Sequence, residues 1–266
     1  SVPTAADSPA AEADARPKAE IPMPEVVPLR FEIVAEYEHD DEAFTQGLVY
    51  EDGYFYESTG LRGESGVRKV EVISNGILNE VPLADRYFGE GLAMVGDRLY
   101  QLTWQAGEGF VYEKDTFERI ESFTYPGEGW GLTYDGEQLI MSDGTPELRF
   151  LDPEGFVEQG RVTVTLMGNP VPRLNELEYI NGVVFANIWQ TDEIVRIDPS
   201  SGEVTGVLDL TGILPQELVT EETDVLNGIA YDAENDIIYV TGKKWPRVYG
   251  LRLMEEEVRG MIQERE

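Results

Sequence analysis

"RYFGEGLAMVGDRLYQLTW" occupies Arg86 to Trp104. Gly91 to Val95 is a short apolar run, Gly96-Asp97 a tight-turn pair, and Leu99 to Thr103 a second apolar run, which together read as a β-hairpin. Glu90 stands just before the first run and Trp104 just after the second. A carboxylate and an indole at matched ends of a hairpin with a core-like middle invite comparison with other copies of the pattern.

The hairpin recurs as "QGLVYEDGYFYEST", "WGLTYDGEQLIMSD", "NELEYINGVVFANIW" and "NGIAYDAENDIIYVTGK". With Glu90 included, the copies start at Gln46, Glu90, Trp130, Asn175 and Asn227, at intervals of 44, 40, 45 and 52 residues. Two further strands follow most of them, as in "ELRFLDPEG" and "FVEQGRVTVTL". Four antiparallel strands at this period describe a propeller blade. The fold expected is therefore all-β, a five-bladed β-propeller spanning residues 29–253. The last repeat has only a third strand, "RVYGLRL", so "RFEIVAEYEH" near the N-terminus is expected to supply the fourth and close the ring.

In a propeller the first strand of each blade lines the central channel, so its leading positions form a ring at one mouth. That ring is Gln46, Glu90, Trp130, Asn175 and Asn227, and a second ring follows the second strands at Thr59, Trp104, Asp143, Trp189 and Lys243. A purely structural position would tend to carry one residue type in all five blades, and these do not. The mixture of carboxylate, amides, tryptophans and a lysine reads as a concave site with apolar walls and a few convergent polar groups. Glu90, between glycines and after Phe88, is expected to be partly desolvated, with its pKa pushed up towards acid–base use. Glu128 in "PGEGWG" lies two places before a ring position and reads as a loop residue.

Composition bounds the chemistry. There is no cysteine, which excludes disulfides, thiolate metal sites and a cysteine nucleophile. The single histidine, His39 in "EYEHDD", reads as a solvated turn residue. The net charge of −32 opposes nucleic acid and anionic membranes, and no run of apolar residues is long enough to span a bilayer. An acid-rich, lysine-poor surface also fits a high-salt habitat, where screening relieves self-repulsion. Residues 1–28, with six prolines and seven alanines, read as a disordered leader or linker, and residues 254–266 as a charged, helix-compatible tail. That leader suits an exported protein, periplasmic or extracellular and tethered through it, and a monomer is expected.

The motifs "FTQGL", "FGEGL", "LTW", "GEGWGLTYDG", "LNELEYING", "ANIWQTD", "LNGIAYD" and "TGKKWP", in this order across residues 31–253, resemble the glutamine cyclotransferases, the glutaminyl cyclases of plant and bacterial type. The resemblance implies the same five-bladed propeller, conversion of N-terminal glutamine to pyroglutamate with release of ammonia, and no metal or cofactor. The partners implied are peptides or proteins with N-terminal glutamine. It also implies Glu90 as the catalytic acid/base, with substrate held by Phe44, Gln46, Phe88, Trp104, Trp130, Asn175, Trp189 and Lys243. Two other readings of the residues stand beside it. One is a non-catalytic propeller that binds peptides or a protein partner through the same mouth. The other is a calcium-dependent lactonase-like propeller, poorly served by a first ring with one carboxylate.

Overall fold

The computed structural model describes residues 25–254. Among them five four-stranded antiparallel sheets stand around one axis. Blade one is Thr45–Glu51, Tyr54–Thr59, Gly66–Glu71 and Ile77–Pro82. Blade two is Gly89–Val95, Arg98–Thr103, Glu108–Glu113 and Arg119–Thr124. Blade three is Leu132–Tyr134, Leu139–Ser142, Glu147–Asp152 and Val157–Thr163. Blade four is Leu174–Ile180, Val183–Ile188, Glu193–Ile197 and Val204–Asp209. Blade five takes Leu226–Asp232, Ile237–Gly242 and Arg247–Leu253 from the end of the chain and Phe31–Glu38 from its beginning. Phe31 pairs with Leu253 and Glu38 with Arg247, so the N-terminal strand closes the ring as expected.

The turn residues show why these segments become hairpins. Asp52-Gly53 and Asn181-Gly182 take positive φ at both positions, the backbone that matches the twist of the flanking strands. Burial falls from the axis outwards: Gly89–Val95 is buried at five of its seven positions, while Ile77–Pro82 on an outer edge has none buried. Each interface between neighbouring blades holds its own apolar cluster.

At the axis the inner strands touch backbone to backbone. The residue after each first-ring position is Gly47, Gly91, Gly131 or Gly228, with Glu176 in blade four. A Cβ on Gly131 would lie 1.9 Å from the Asn175 carbonyl oxygen, so only glycine fits there. Glu176 is the exception, and it is fully buried. Its carboxyl accepts the Ile229 N–H at 2.7 Å and the Leu48 N–H at 3.3 Å, tying blades five and one to blade four. Those N–H groups lie on inner strand edges, where no further strand can pair with them.

The interface between blades five and one is where the chain ends meet. Its cluster has six buried apolar residues, against nine to fourteen in the others. An ion network lies beside it, built around His39. The expected solvated turn residue is instead a seam residue, its side chain only 6% exposed. Its Nδ1 donates to the Trp245 carbonyl at 2.6 Å and its Nε2 to Glu57 Oε2 at 2.6 Å. Both partners are acceptors, so the ring carries both protons. Glu57 also pairs with Arg68, which reaches Asp40 at 2.6 Å. Burial opposes the charged imidazole, but the Glu57 carboxylate and the two hydrogen bonds outweigh it and raise the His39 pKa. The sequence pattern "EHDD" looks polar because its partners are distant in the chain, Glu57 and Arg68 on blade one and Trp245 between two strands of blade five.

Removing the ring should therefore destabilise the seam. His39→Ala leaves a buried acceptor unpaired, a loss of about 1–3 kcal/mol. A folded-state pKa above the unfolded value of about 6.5 makes this contribution complete below that pH and lost as pH rises through the folded pKa. The gap in melting temperature between wild type and His39→Ala should thus be widest at mildly acidic pH and narrow with rising pH. A gap that widens with pH would contradict the assignment.

Two features were not expected from sequence. Val27–Pro28 pairs in parallel with the outer strand of blade four, with Val27 opposite Gly206. The fold thus begins inside the stretch that reads as linker, because Val26 and Leu29 have apolar clusters to join. The remaining leader, residues 1–24, and the tail from 255 onward lie outside the described residues. A two-stranded hairpin, Thr165–Leu166 with Asn169–Pro170, is inserted between blades three and four. No helix among the described residues is long and apolar enough to cross a membrane.

Candidate active site

Local irregularity aims the first ring. In blades one, two, four and five the pairing of inner and second strand slips where the ring residue stands, at Thr45/Gly47, Gly89/Leu92, Leu174/Leu177 and Leu226/Ile229. A bulge of this kind lets a side chain leave the alternation of the strand. In blade three Trp130 precedes a strand of only three residues and is held by its N–H to the Ser142 carbonyl.

Phe44, Gln46, Phe88, Glu90, Trp104, Trp130, Asn175, Trp189 and Lys243 line one cavity of about 390 Å³. Leu61, Gln190, Asp224 and Val225 complete it. Three ring residues are placed elsewhere. Asn227 is fully buried beneath Gln46. Asp143 is taken up by Arg149, 2.6 Å away. Thr59 lies on a neighbouring cleft across Phe44.

The polar floor is Glu90, Gln46, Asn175 and Lys243, each no more than 4% exposed. Burial pushes the Glu90 carboxyl well above its ordinary range, opposed by nearby Lys243 and reinforced by Glu128. Burial lowers the Lys243 pKa, against the pull of Glu90 and Asp224. Gln46 Nε2 donates to Glu90 Oε1 over a long 3.4 Å. The orientation of that amide is set from below. Asn227 Nδ2 donates to the Thr45 carbonyl at 3.0 Å and to Gln46 Oε1 at 3.3 Å, which leaves the Gln46 NH₂ facing Glu90. Asn175 Oδ1 is buried with no hydrogen-bond partner, an acceptor left open in the cavity floor.

The walls are aromatic and meet edge to face. Phe44, Phe88 and Trp104 form one arm, with ring centroids 5.9 and 5.4 Å apart. Trp130 and Trp189 form the other at 5.6 Å. Lys243 Nζ lies 4.6 Å over the Phe44 ring. Trp130 packs where a Cβ on Gly144 would come within 2.6 Å of it, so the glycine makes room for the indole.

Glu128 is not the uninvolved loop residue expected. Its Oε2 accepts the indole N–H of Trp104 at 2.9 Å and of Trp130 at 2.8 Å. The signal was present in the sequence: Phe44 and Phe88 stand at the same offset, two residues before their ring positions, as do Arg173 and Val225. Residues two apart on extended backbone share a side. Gln190, Asp224 and Val225 likewise adjoin ring positions or their partners, and were missed because only the rings were compared. Among the described residues no group of three or more histidine, cysteine or carboxylate side chains is placed to hold a metal ion.

A glutamine cyclotransferase family pattern matches residues 5–253. The glutaminyl-peptide cyclotransferase of Arabidopsis thaliana is 41% identical over 228 residues, covering 84% of this chain and 71% of that protein. The crystal structure of the Myxococcus xanthus glutaminyl cyclase, 42% identical, superposes with a TM-score of 0.80 over 86% of this chain and 98% of the other. The chain belongs to the glutamine cyclotransferase family.

Proposed function

We propose that this glutaminyl-peptide cyclotransferase closes the N-terminal glutamine of peptides without a metal, using Glu90 as its acid/base. The reading is carried by one observation, a buried carboxyl on the floor of an aromatic cavity, where burial pushes its pKa up. The α-amine nitrogen attacks the γ-carboxamide carbon, and a tetrahedral centre forms. The C–NH₂ bond then breaks, giving a five-membered lactam and ammonia. Nucleophile and electrophile share one residue, so binding has mainly to hold the folded conformer.

Glu90 takes the proton from the attacking amine and returns it to the leaving nitrogen. A free α-amine titrates at about 7.7–8.0, and raising the carboxyl above its ordinary range narrows the gap in proton affinity between the two. The open Asn175 Oδ1 fits a substrate N–H. Lys243, close enough to act on Glu90, supplies positive charge where the oxyanion develops. Trp104, Trp130 and Trp189 exclude water, which would otherwise hydrolyse the carboxamide.

The donor set supports metal independence. There is no thiol, and the one imidazole is spent on the seam, hydrogen-bonded at both nitrogens. Dialysis against EDTA or phenanthroline should leave ammonia release from glutaminyl peptides unchanged. Loss of activity that zinc or calcium restores would overturn this part of the reading.

A further inference from the structure

We propose that Glu128 is a positioning residue that sets the shape of the cavity by fixing two of its tryptophans, a role that rests on the reading of Glu90 given above. The geometry begins with the two aromatic arms. Phe44, Phe88 and Trp104 hang from blades one and two, while Trp130 and Trp189 hang from blades three and four. Trp104 belongs to the first arm and Trp130 to the second. One carboxylate oxygen joins them, accepting both indole N–H groups. An indole nitrogen can only donate, so each ring has its orientation set by where that oxygen stands.

The oxygen itself is well placed. Gly127 takes φ +79, and a Cβ on Gly129 would meet the Tyr125 hydroxyl at 2.6 Å and the Thr103 carbonyl at 2.8 Å. The Gly129 N–H donates to the Trp104 carbonyl at 3.0 Å, and Arg149 Nη1 holds the Pro126 carbonyl at 2.7 Å. Glu128 is thus fixed by a braced loop and is the link between two halves of the pocket.

The second effect is electrostatic. The charged or titratable groups that act on Glu90 are Lys243, which favours its ionised form, and Glu128, which opposes it. Tyr125 lies near enough to feel both Glu90 and Arg149. Glu128 is the acidic member of this set, bonded to two tryptophans that line the same cavity as Glu90.

Two substitutions in the full-length chain separate the effects. In E128Q the carbonyl oxygen can take the place of Oε2, keeping both indole bonds while removing the charge. The new NH₂ then faces the exposed Gln105 amide, which can turn away. E128A removes bonds and charge together. For E128A, kcat/KM for a glutaminyl peptide should fall about tenfold to a hundredfold, chiefly through KM, with a red shift in tryptophan emission. For E128Q, KM and emission should stay close to wild type. Its low-pH limb in kcat should move to lower pH, because the like charge that opposes ionisation of Glu90 has been removed.

Wild-type kcat/KM and emission in E128A would overturn the clamp. An unshifted limb in E128Q would overturn the coupling to Glu90; should E128A fail to fold, E128L, which fills the space but accepts no hydrogen bond, gives the same test of the clamp through KM and emission. Failure of the Glu90 reading itself would look different. Glu90→Gln would then keep its rate, while the KM and emission changes in E128A would still report on the clamp.

Discussion

Glu90→Gln should lower kcat for glutaminyl peptides by roughly 10²- to 10⁴-fold, the usual worth of a positioned acid/base. Shape and much of the hydrogen bonding are kept, so the melting temperature should hold or rise. A rise is the more informative outcome, because the wild-type carboxyl is buried at a cost that the neutral amide avoids. KM should change little, since the residue acts on a proton rather than on the substrate's bulk. Steady-state ammonia release, with thermal unfolding of the same preparation, checks both. A variant that loses activity only because it unfolds would fail the second measurement.

The largest effect on stability should come from the axis. Glu176→Ala leaves the Leu48 and Ile229 N–H groups without their acceptor in a fully buried position. Two unmet buried donors cost about 2–4 kcal/mol. For a domain of this size that is a fall in melting temperature of roughly 5–15 °C. Glu176→Gln should fall between, because one of its two terminal atoms is a donor and faces a donor. Differential scanning calorimetry of the three proteins makes the comparison. An unchanged transition in Glu176→Ala would mean that water satisfies the channel and that the carboxyl is not a tie between blades.

Much of the fold was legible because the repeat is written in local chemistry. Asp-Gly and Asn-Gly turns at a period near 45 residues need no long-range knowledge, and they specify hairpins by their backbone preferences. Closure by "RFEIVAEYEH" was legible for a different reason: one blade was short of a strand at one end of the chain. What stayed hidden depends on pairings between blades. His39 looks solvated until Glu57 and Trp245 are brought to it. Glu176 interrupts a column of glycines, and its meaning is visible only when three inner strands meet. Asp143 has the right spacing for the second ring, yet Arg149 on the next strand of its own blade withdraws it from the cavity.

The cavity residues follow a similar division. Ring positions were legible as a break in the repeat's uniformity, and the motifs that resemble the family added Phe44 and Phe88. Glu128 occupies the offset of those two phenylalanines, and that offset, two places before the ring, is what makes it read as a loop residue. Its indole partners show otherwise. Membership in an enzyme family also sets aside the non-catalytic propeller.

The proposed reaction turns on a carboxyl of raised pKa at position 90 moving the proton. The most direct measurement is the pH dependence of kcat, at saturating glutaminyl peptide, for wild type and for the residual activity of Glu90→Gln. Wild type should lose kcat as pH falls through a value clearly above the ordinary glutamate pKa of about 4.3, and the residual activity of the variant should lack that limb. A wild-type limb at the ordinary value, or the same limb retained in Glu90→Gln, would contradict the assignment.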